Sequence, residues 1–357
     1  MSTRVLVTGA TGFVAGYVIG ELLEHGYAVR ATVRDLNATG KRAHLAEAAE
    51  RIGGDLEFVA ADLDRETGWE AAVSGCEAVF HVASPFPATL PDDENELITT
   101  AVEGTLRVLR AAAASGTVRR VVLTSSIAAI AHGHADHDAV RTEADWSVVA
   151  KCAPYQKSKT LAERAAWDYV ESLPADQRFE LVVVNPGMVL GPVRSAATST
   201  SHEPIRRLLA GTDPGSPRVG WAVVDVRDLA VVHRLAREVP AAAGNRYVAA
   251  GEHVWMQDMG RVLAAEFGPR GYKVPTRALP NLLVRTIALF DKGVRLTLPM
   301  LGVREQLSSE KAHRELGWTM RPVRESILDT AESLVQYGVV GPKGRVDRPV
   351  AVNSPSA

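Results

Sequence analysis

A chain of 357 residues with 46% hydrophobic side chains holds enough apolar material for one large α/β unit, or for a nucleotide-binding domain with a smaller partner, and this excludes a largely disordered protein. The formal charge is −2, with 40 basic against 42 acidic residues and no basic tract, so no global field draws nucleic acid or an anionic membrane and the expected partner is a small molecule. Cys76 and Cys152 form neither a metal-ligand spacing nor a disulfide framework, which fits a reducing cytoplasm.

The opening MSTRVLVTG enters a strand at once, leaving no room for a signal segment, and no apolar run reaches the ~18 residues of a membrane span. A cytoplasmic protein, monomeric or homodimeric, is expected. Short β-branched runs then alternate with longer amphipathic ones. RVLVT is followed by AGYVIGELLEHG, AVRATVR by KRAHLAEAAERIGG, and LEFVAAD by CEAVFHVAS. A helical pattern over about 94–114, the strand RRVVLTSS, a helix around Tyr155 and the strand FELVVVNP continue the rhythm. Strand and helix in turn predict βαβ units, a parallel sheet covered on both faces and a doubly wound Rossmann-type fold.

After Pro186 the rhythm breaks. Residues 187–218, with GP, SAATSTS and DPGSP, read as loops and short helices. WAVVDVRDLAVVHRLA and NRYVAA restore a strand, a helix and a further strand, and the chain from about His253 is mostly helical in pattern. The expected organisation is a dinucleotide-binding domain over 1–186, completed by about 219–250. A smaller, mostly helical substrate lobe takes 187–218 and 251–340, and 341–357 forms a tail of little periodicity.

Gly9, Gly12 and Ala15 stand at the first strand-to-helix turn, where backbone amides at a helix N-terminus can bind a pyrophosphate. Gly9 permits the tight turn, Gly12 lets a phosphate approach, and Ala15 stands where a third glycine is usual. The end of the second strand selects the dinucleotide. An acid there accepts from the ribose hydroxyls of NAD, whereas an arginine accommodates the 2′-phosphate of NADP. ATVRDLNATGKR places Arg34 at that end with Lys41 at the start of the next helix, favouring NADPH/NADP+, and Asp35 is the competing neighbour.

Tyr155 and Lys159 are four residues apart, about one helical turn, so phenol and ammonium share one face. A cation beside a phenol favours the phenolate and is expected to lower the Tyr155 pKa toward neutrality. Ser126 ends RRVVLTSS at the carboxyl edge of the sheet, and Ser125 should point to the opposite face of a regular strand. A Ser126 hydroxyl beside a nicotinamide would stabilise a developing alkoxide, with Tyr155 as the acid and Lys159 as its tuning charge.

Gly9-x-x-Gly12, Arg34, VFHVASP at 79–85, TSS at 124–126, Tyr155-x-x-x-Lys159 and Asn185-Pro186-Gly187 together resemble the extended short-chain dehydrogenase/reductase superfamily. GYAVRATVRD, RRVVLTSSIAAI, YQKSKTLAERAAW and LSSEKAHRELGW resemble its branch of dihydroflavonol reductases, cinnamoyl-CoA reductases and yeast methylglyoxal and carbonyl reductases. The likeness spans about residues 3–338. It implies an NADPH-dependent aldehyde or ketone reductase, reversible as an alcohol dehydrogenase, with Ser126, Tyr155 and Lys159 catalytic. It further implies cofactor contacts from Thr11, Phe13 and Val14 at the glycine turn, Arg34 and Lys41 at the 2′-phosphate, and Asp62 and Leu63 at the adenine. Val82, Ala83, Ser84, Pro186, Gly187 and Val189 would line the nicotinamide side, and Thr124 would be a further cofactor contact. Phe86, Ile127, Trp146, Met188 and Trp221 are the candidate substrate-pocket residues.

Two members of the same superfamily are alternatives, a hydroxysteroid dehydrogenase and a sugar-nucleotide epimerase. TTAVEGT and SSIAAIAHG argue against the epimerase, which usually shows an Asn-rich lead and a Tyr-Gly pair at these places. Other classes are a Rossmann protein that senses NADP(H) without turnover, and a metal-dependent hydrolase. The hydrolase rests on His132, His134, Asp136 and His137, an H-x-H-x-D-H run of zinc-ligand types. A polar loop after the fifth strand is the preferred reading of that run, so no metal is expected.

Overall fold

The computed structural model describes residues 2–84, 93–136, 138–290, 294–295 and 298–342. In chain order the strands are β1 (Arg4–Val7), β2 (Ala28–Val33), β3 (Leu56–Ala60), β4 (Ala78–His81), β5 (Arg120–Thr124), β6 (Glu180–Pro186), β7 (Met188–Leu190), β8 (Gly220–Asp225), β9 (Arg246–Ala249) and β10 (His253–Trp255). The helices that position the site are α1 (Phe13–Glu24), α2 (Ala43–Ile52), α3 (Trp69–Val73), α4 (Glu94–Ala114), α5 (Pro154–Ser172), α6 (Glu203–Ala210), α7 (Val226–Glu238) and α8 (Met256–Phe267).

Seven strands pair in the order β3-β2-β1-β4-β5-β6-β9, every pair parallel. The order turns back between β1 and β4, which opens a crevice beyond their carboxyl ends. This is the doubly wound Rossmann-type sheet that the strand and helix rhythm predicts. Its apolar strands are continuous because both faces are covered, and the residues divide by parity. Val5, Val7, Phe80, Val122 and Val184 pack with α1, α2 and α7, whereas Leu6, Val79, Val121, Leu123 and Val183 pack with α3, α4 and α5. A one-residue slip in any strand would exchange these two sets, so burial itself fixes the register.

The second half departs from the sequence reading in two places. Met188–Leu190 is a strand within the stretch read as loops and short helices, and it pairs in parallel with β8. Strand β8, in the stretch read as completing the dinucleotide-binding domain, pairs outside the large sheet, in a three-stranded sheet with β7 and, antiparallel, β10. The large sheet takes β9 as its last strand. Burial explains the arrangement. Val189 and Val224 pack on the main core while Leu190 and Val223 face a separate cluster with Ile205, Leu208, Met259, Leu263 and Phe267, so the small sheet is apolar on both faces. Among the described residues no helix is long and apolar enough to cross a membrane. Most of the expected tail, from residue 343 onward, lies outside the described residues.

Candidate active site

The glycine turn is built from its neighbours' backbone. Gly9 takes φ +74°, its amide donates to Thr32 Oγ1 at 2.9 Å, and Ala10 N donates to Thr32 O at 2.9 Å, so the end of β2 clamps the turn. A Cβ on Gly9 would stand 2.9 Å from that of Ala83. Gly12 is the N-cap of α1, with no side-chain cap and no acidic residue in the first turn, and Thr11 and Gly12 are exposed. The amides and the positive end of the helix dipole therefore face outward, an arrangement suited to an anion. Phe13 and Val14 are partly buried against the main core, and Ala15 is fully enclosed.

Thr8 fixes the opposite wall of the crevice. Its hydroxyl accepts from Val82 N at 3.0 Å and Ala83 N at 2.9 Å, so it donates its proton to His81 Nδ1, 2.9 Å away. Burial, with Lys159 nearby, pushes the His81 imidazole down to about 3, and a neutral ring suits this bond. Loop 82–84 is thereby tied to the end of β1, and Lys159 Nζ donates to Ser84 Oγ at 2.8 Å from α5.

Helix α5 begins with Pro154, a residue suited to the first helical position. Tyr155, Lys159 and Glu163 follow at intervals of four and form one stripe. The Ser126 hydroxyl interacts with the phenol of Tyr155. Burial raises the Tyr155 pKa above 10 and the Ser126 contact opposes this. The expected downward pull of Lys159 on the phenol is thus not what the structure shows. Desolvation dominates at Tyr155, and the ammonium engages Ser84. Lys159 is itself pushed down to about 8 by burial, with Glu163 holding it up.

Ser125 also differs from expectation. Strand β5 ends at Thr124, and Ser126 becomes the N-cap of a short 3-10 turn, accepting from Ala128 N at 3.1 Å. Strict alternation therefore stops, and both serines reach α5. Ser125 Oγ lies 2.5 Å from Glu163 Oε2, which also accepts from Asn185 Nδ2 at 2.8 Å. Thr124 instead faces α7. His233 donates from Nδ1 to Leu229 O at 2.7 Å, so its Nε2 accepts from the Thr124 hydroxyl at 2.7 Å.

Arg34 follows β2 directly and is exposed, and Lys41 is exposed in a 3-10 turn over Thr39–Lys41, two residues before α2 rather than within it. The Asp62 carbonyl accepts from Trp69 Nε1 at 3.0 Å, and Leu63 packs on Gly104 of α4. At the far side Pro186 ends β6. A Cβ on Gly187 would lie 2.2 Å from Ala222 O, so the crossing to β7 and Val189 admits no side chain there.

The substrate candidates separate. Met188 and Trp221 pack together on the lobe cluster, Met188 pairing with Val223 two residues from Trp221 on one face of the small sheet. Ile127 is buried with Ile130, Ala222 and Val248. Trp146 lies elsewhere, its ring beneath the Arg246 guanidinium at 3.8 Å and near that of Arg164 at 5.0 Å, in a surface groove with Trp167, Asn245 and Lys311. Phe86 falls outside the described residues.

Among the described residues no three His, Cys, Asp or Glu side chains converge as metal ligands. His132 Nε2 lies 3.8 Å from Glu305 Oε1, His134 Nε2 donates to Ile130 O at 2.8 Å, and Asp136 caps Asp138 N at 2.9 Å. His137 lies outside the described residues. The sequence reading missed Glu163. Its signal was an acid at the next turn of the Tyr155 and Lys159 face.

Comparison with known proteins agrees with this geometry. The family model of the NAD dependent epimerase/dehydratase family matches residues 5–250. A cinnamoyl-CoA reductase of Medicago truncatula is 36% identical over 339 residues, covering 92% of this chain and 95% of its own length. An anthocyanidin reductase of Vitis vinifera is 34% identical over 286 residues, covering 76% and 82%. Among solved structures, Gre2 of Candida albicans in complex with NADPH superposes with a TM-score of 0.78 at 29% identity, covering 94% of this chain and 99% of that one. Yeast methylglyoxal/isovaleraldehyde reductase Gre2, complexed with NADPH, gives 0.79 at 26% identity, with 94% and 99% covered. Matched over more than half its length and aligned nearly end to end with reductases, the chain belongs to the NAD dependent epimerase/dehydratase family, within the extended short-chain dehydrogenases/reductases.

Proposed function

We propose that the chain is an NADPH-dependent reductase of an aldehyde or ketone carbonyl, reversible as an alcohol dehydrogenase. The observation that carries this reading is the meeting of the Ser126 hydroxyl with the Tyr155 phenol, one turn from Lys159, beside the uncapped N-terminus of α1.

The residues present fit the dinucleotide. A Cβ at Gly9 would fill the cradle against Ala83, the first turn of α1 offers amides without a competing acid, and exposed Arg34 and Lys41 supply cations for a 2′-phosphate. The bound cofactor would supply the hydride. Ser126 and Tyr155 would hold the substrate oxygen, stabilise the negative charge that develops on it, and deliver the phenolic proton. Lys159 would stabilise the phenolate left behind and hold the ribose. Met188 and Trp221, on one face of the small sheet, would give the substrate an apolar wall.

Likeness to the cinnamoyl-CoA reductase favours a second reading, reduction of a CoA thioester to an aldehyde with release of the thiol. One panel separates the readings. Aldehydes, α-dicarbonyls, β-keto esters, ketosteroids, dihydroflavonols and aromatic CoA thioesters are each assayed with NADPH and NADH, and hydroxysteroids with NADP+ and NAD+, following cofactor absorbance and free thiol. Turnover of simple carbonyls with NADPH is expected. Thiol release would establish the thioester reading, and binding of NADPH without turnover of any carbonyl class would leave a sensor.

A further inference from the structure

We propose that Glu163 is a positioning residue for this reduction, holding the Ser126 backbone in place from the buried side of α5 and setting a negative charge one helical turn from Lys159. The inference rests on the reductase reading above. Glu163 lies one turn beyond Lys159 on the stripe that carries Tyr155, and its side chain is fully enclosed. Its carboxylate gathers three separate strands. Ser125 Oγ beyond β5 lies at 2.5 Å, Asn185 Nδ2 of β6 donates at 2.8 Å, and Arg246 Nε at the start of β9 donates at 2.6 Å. Asn185 Nδ2 also reaches Ser126 O at 3.2 Å, so a single amide connects Glu163 to the backbone of the serine that meets Tyr155.

Stability alone is a weak reason for this arrangement. A buried ion pair is often no better for folding than well-packed apolar residues of similar volume, because desolvation offsets the attraction. A negative charge one turn from a partly buried ammonium has a more specific effect. It favours the charged form of Lys159 against desolvation. Among the described residues, Ser84 after β4 and His81 at the end of β4 also lie beside Lys159, and neither supplies a negative charge at neutral pH. Glu94 on α4 is engaged with Lys157, at 2.8 Å, and Arg246 is the cation that faces Glu163 from β9.

The test compares the parent protein with E163Q, E163D and Y155F, measuring the pH profile of kcat/KM for NADPH and, separately, NADPH binding by tryptophan quenching. In E163Q the alkaline limb should move to lower pH by about half a unit or more, since the amide no longer supports the ammonium, while E163D should stay near the parent. A merely structural Glu163 would lower the melting temperature and leave the limb in place, and that result overturns the proposal. If E163Q fails to fold, the E163Q/R246Q variant, which leaves no unpaired buried charge, takes its place, and an unmoved alkaline limb there overturns the proposal equally. Full turnover by Y155F would instead defeat the reductase mechanism, so the two failures are distinct.

Discussion

Lys159 Nζ donates to Ser84 Oγ at 2.8 Å, tying the middle of α5 to the loop that leaves β4 and setting the width of the crevice between them. The same burial pushes the ammonium down to about 8, so its charge is lost within an accessible pH range. A lysine that must be charged works below its pKa and fails above it. The kcat/KM for NADPH, which reports on the free enzyme, should therefore fall as pH rises through about 8. A profile flat to pH 10 would remove Lys159 from the mechanism.

Gly9 and Ala83 predict a second outcome. A side chain at Gly9 meets both a left-handed backbone, φ +74°, and a Cβ contact of 2.9 Å. The backbone cost alone is about 1–2 kcal/mol for a non-glycine residue. Gly9→Ala should lower stability by at least that amount in chemical denaturation and weaken NADPH binding, because the displaced turn lies beneath the amides of α1. Unchanged binding would place the pyrophosphate elsewhere.

Much of this site was legible in the sequence because it depends on period and order. Val5, Phe80, Val122 and Val184 are β-branched or aromatic residues in runs too apolar for a half-exposed strand, and the parallel sheet follows from them. Tyr155 and Lys159 share a face by helical spacing alone. What the spacing does not carry is where a neighbour's charge points, so the ammonium bound to Ser84 and the desolvated phenol emerge only in the folded chain. Nor does it carry strand ends. Ser125 and Ser126 both turn to α5 because β5 stops at Thr124, and the edge of a short strand has no signature in composition. Strand β7 was hidden for the same reason, being three residues long between loops.

Arg34 gives the third prediction. It is exposed, so Arg34→Ala should leave the melting temperature nearly unchanged. A charge-assisted bond to a phosphate is worth about 1.5–3 kcal/mol, or roughly 10- to 100-fold in affinity. The KM for NADPH should rise by that factor and the KM for NADH should stay within about twofold. Equal effects on both cofactors would show that Arg34 does not read the 2′-phosphate.

Tyr155→Phe removes one oxygen from a partly buried side chain that meets Ser126. Loss of a positioned general acid reduces turnover by roughly 10²- to 10⁴-fold. NADPH binding should remain within about threefold of the parent, because the ring and its packing are retained. Retained turnover would assign the proton to another group.

Trp146 separates packing from recognition. Its aromatic face carries the guanidinium of Arg246 at 3.8 Å, and Arg246 in turn donates to Glu143 O at 2.9 Å, Asp145 O at 2.8 Å and Glu163 Oε1 at 2.6 Å. Truncating the indole removes a cation–π contact and much apolar area, which together amount to about 1–3 kcal/mol. Trp146→Ala should therefore lower the melting temperature while the KM for a carbonyl substrate stays near the parent value. Trp221→Ala should do the reverse in part, since Trp221 shares its face of the small sheet with Met188 and Val223 beside the β6–β7 crossing. A change of substrate ranking in the Trp146 variant, with none in the Trp221 variant, would relocate the pocket to the groove lined by Trp167, Asn245 and Lys311.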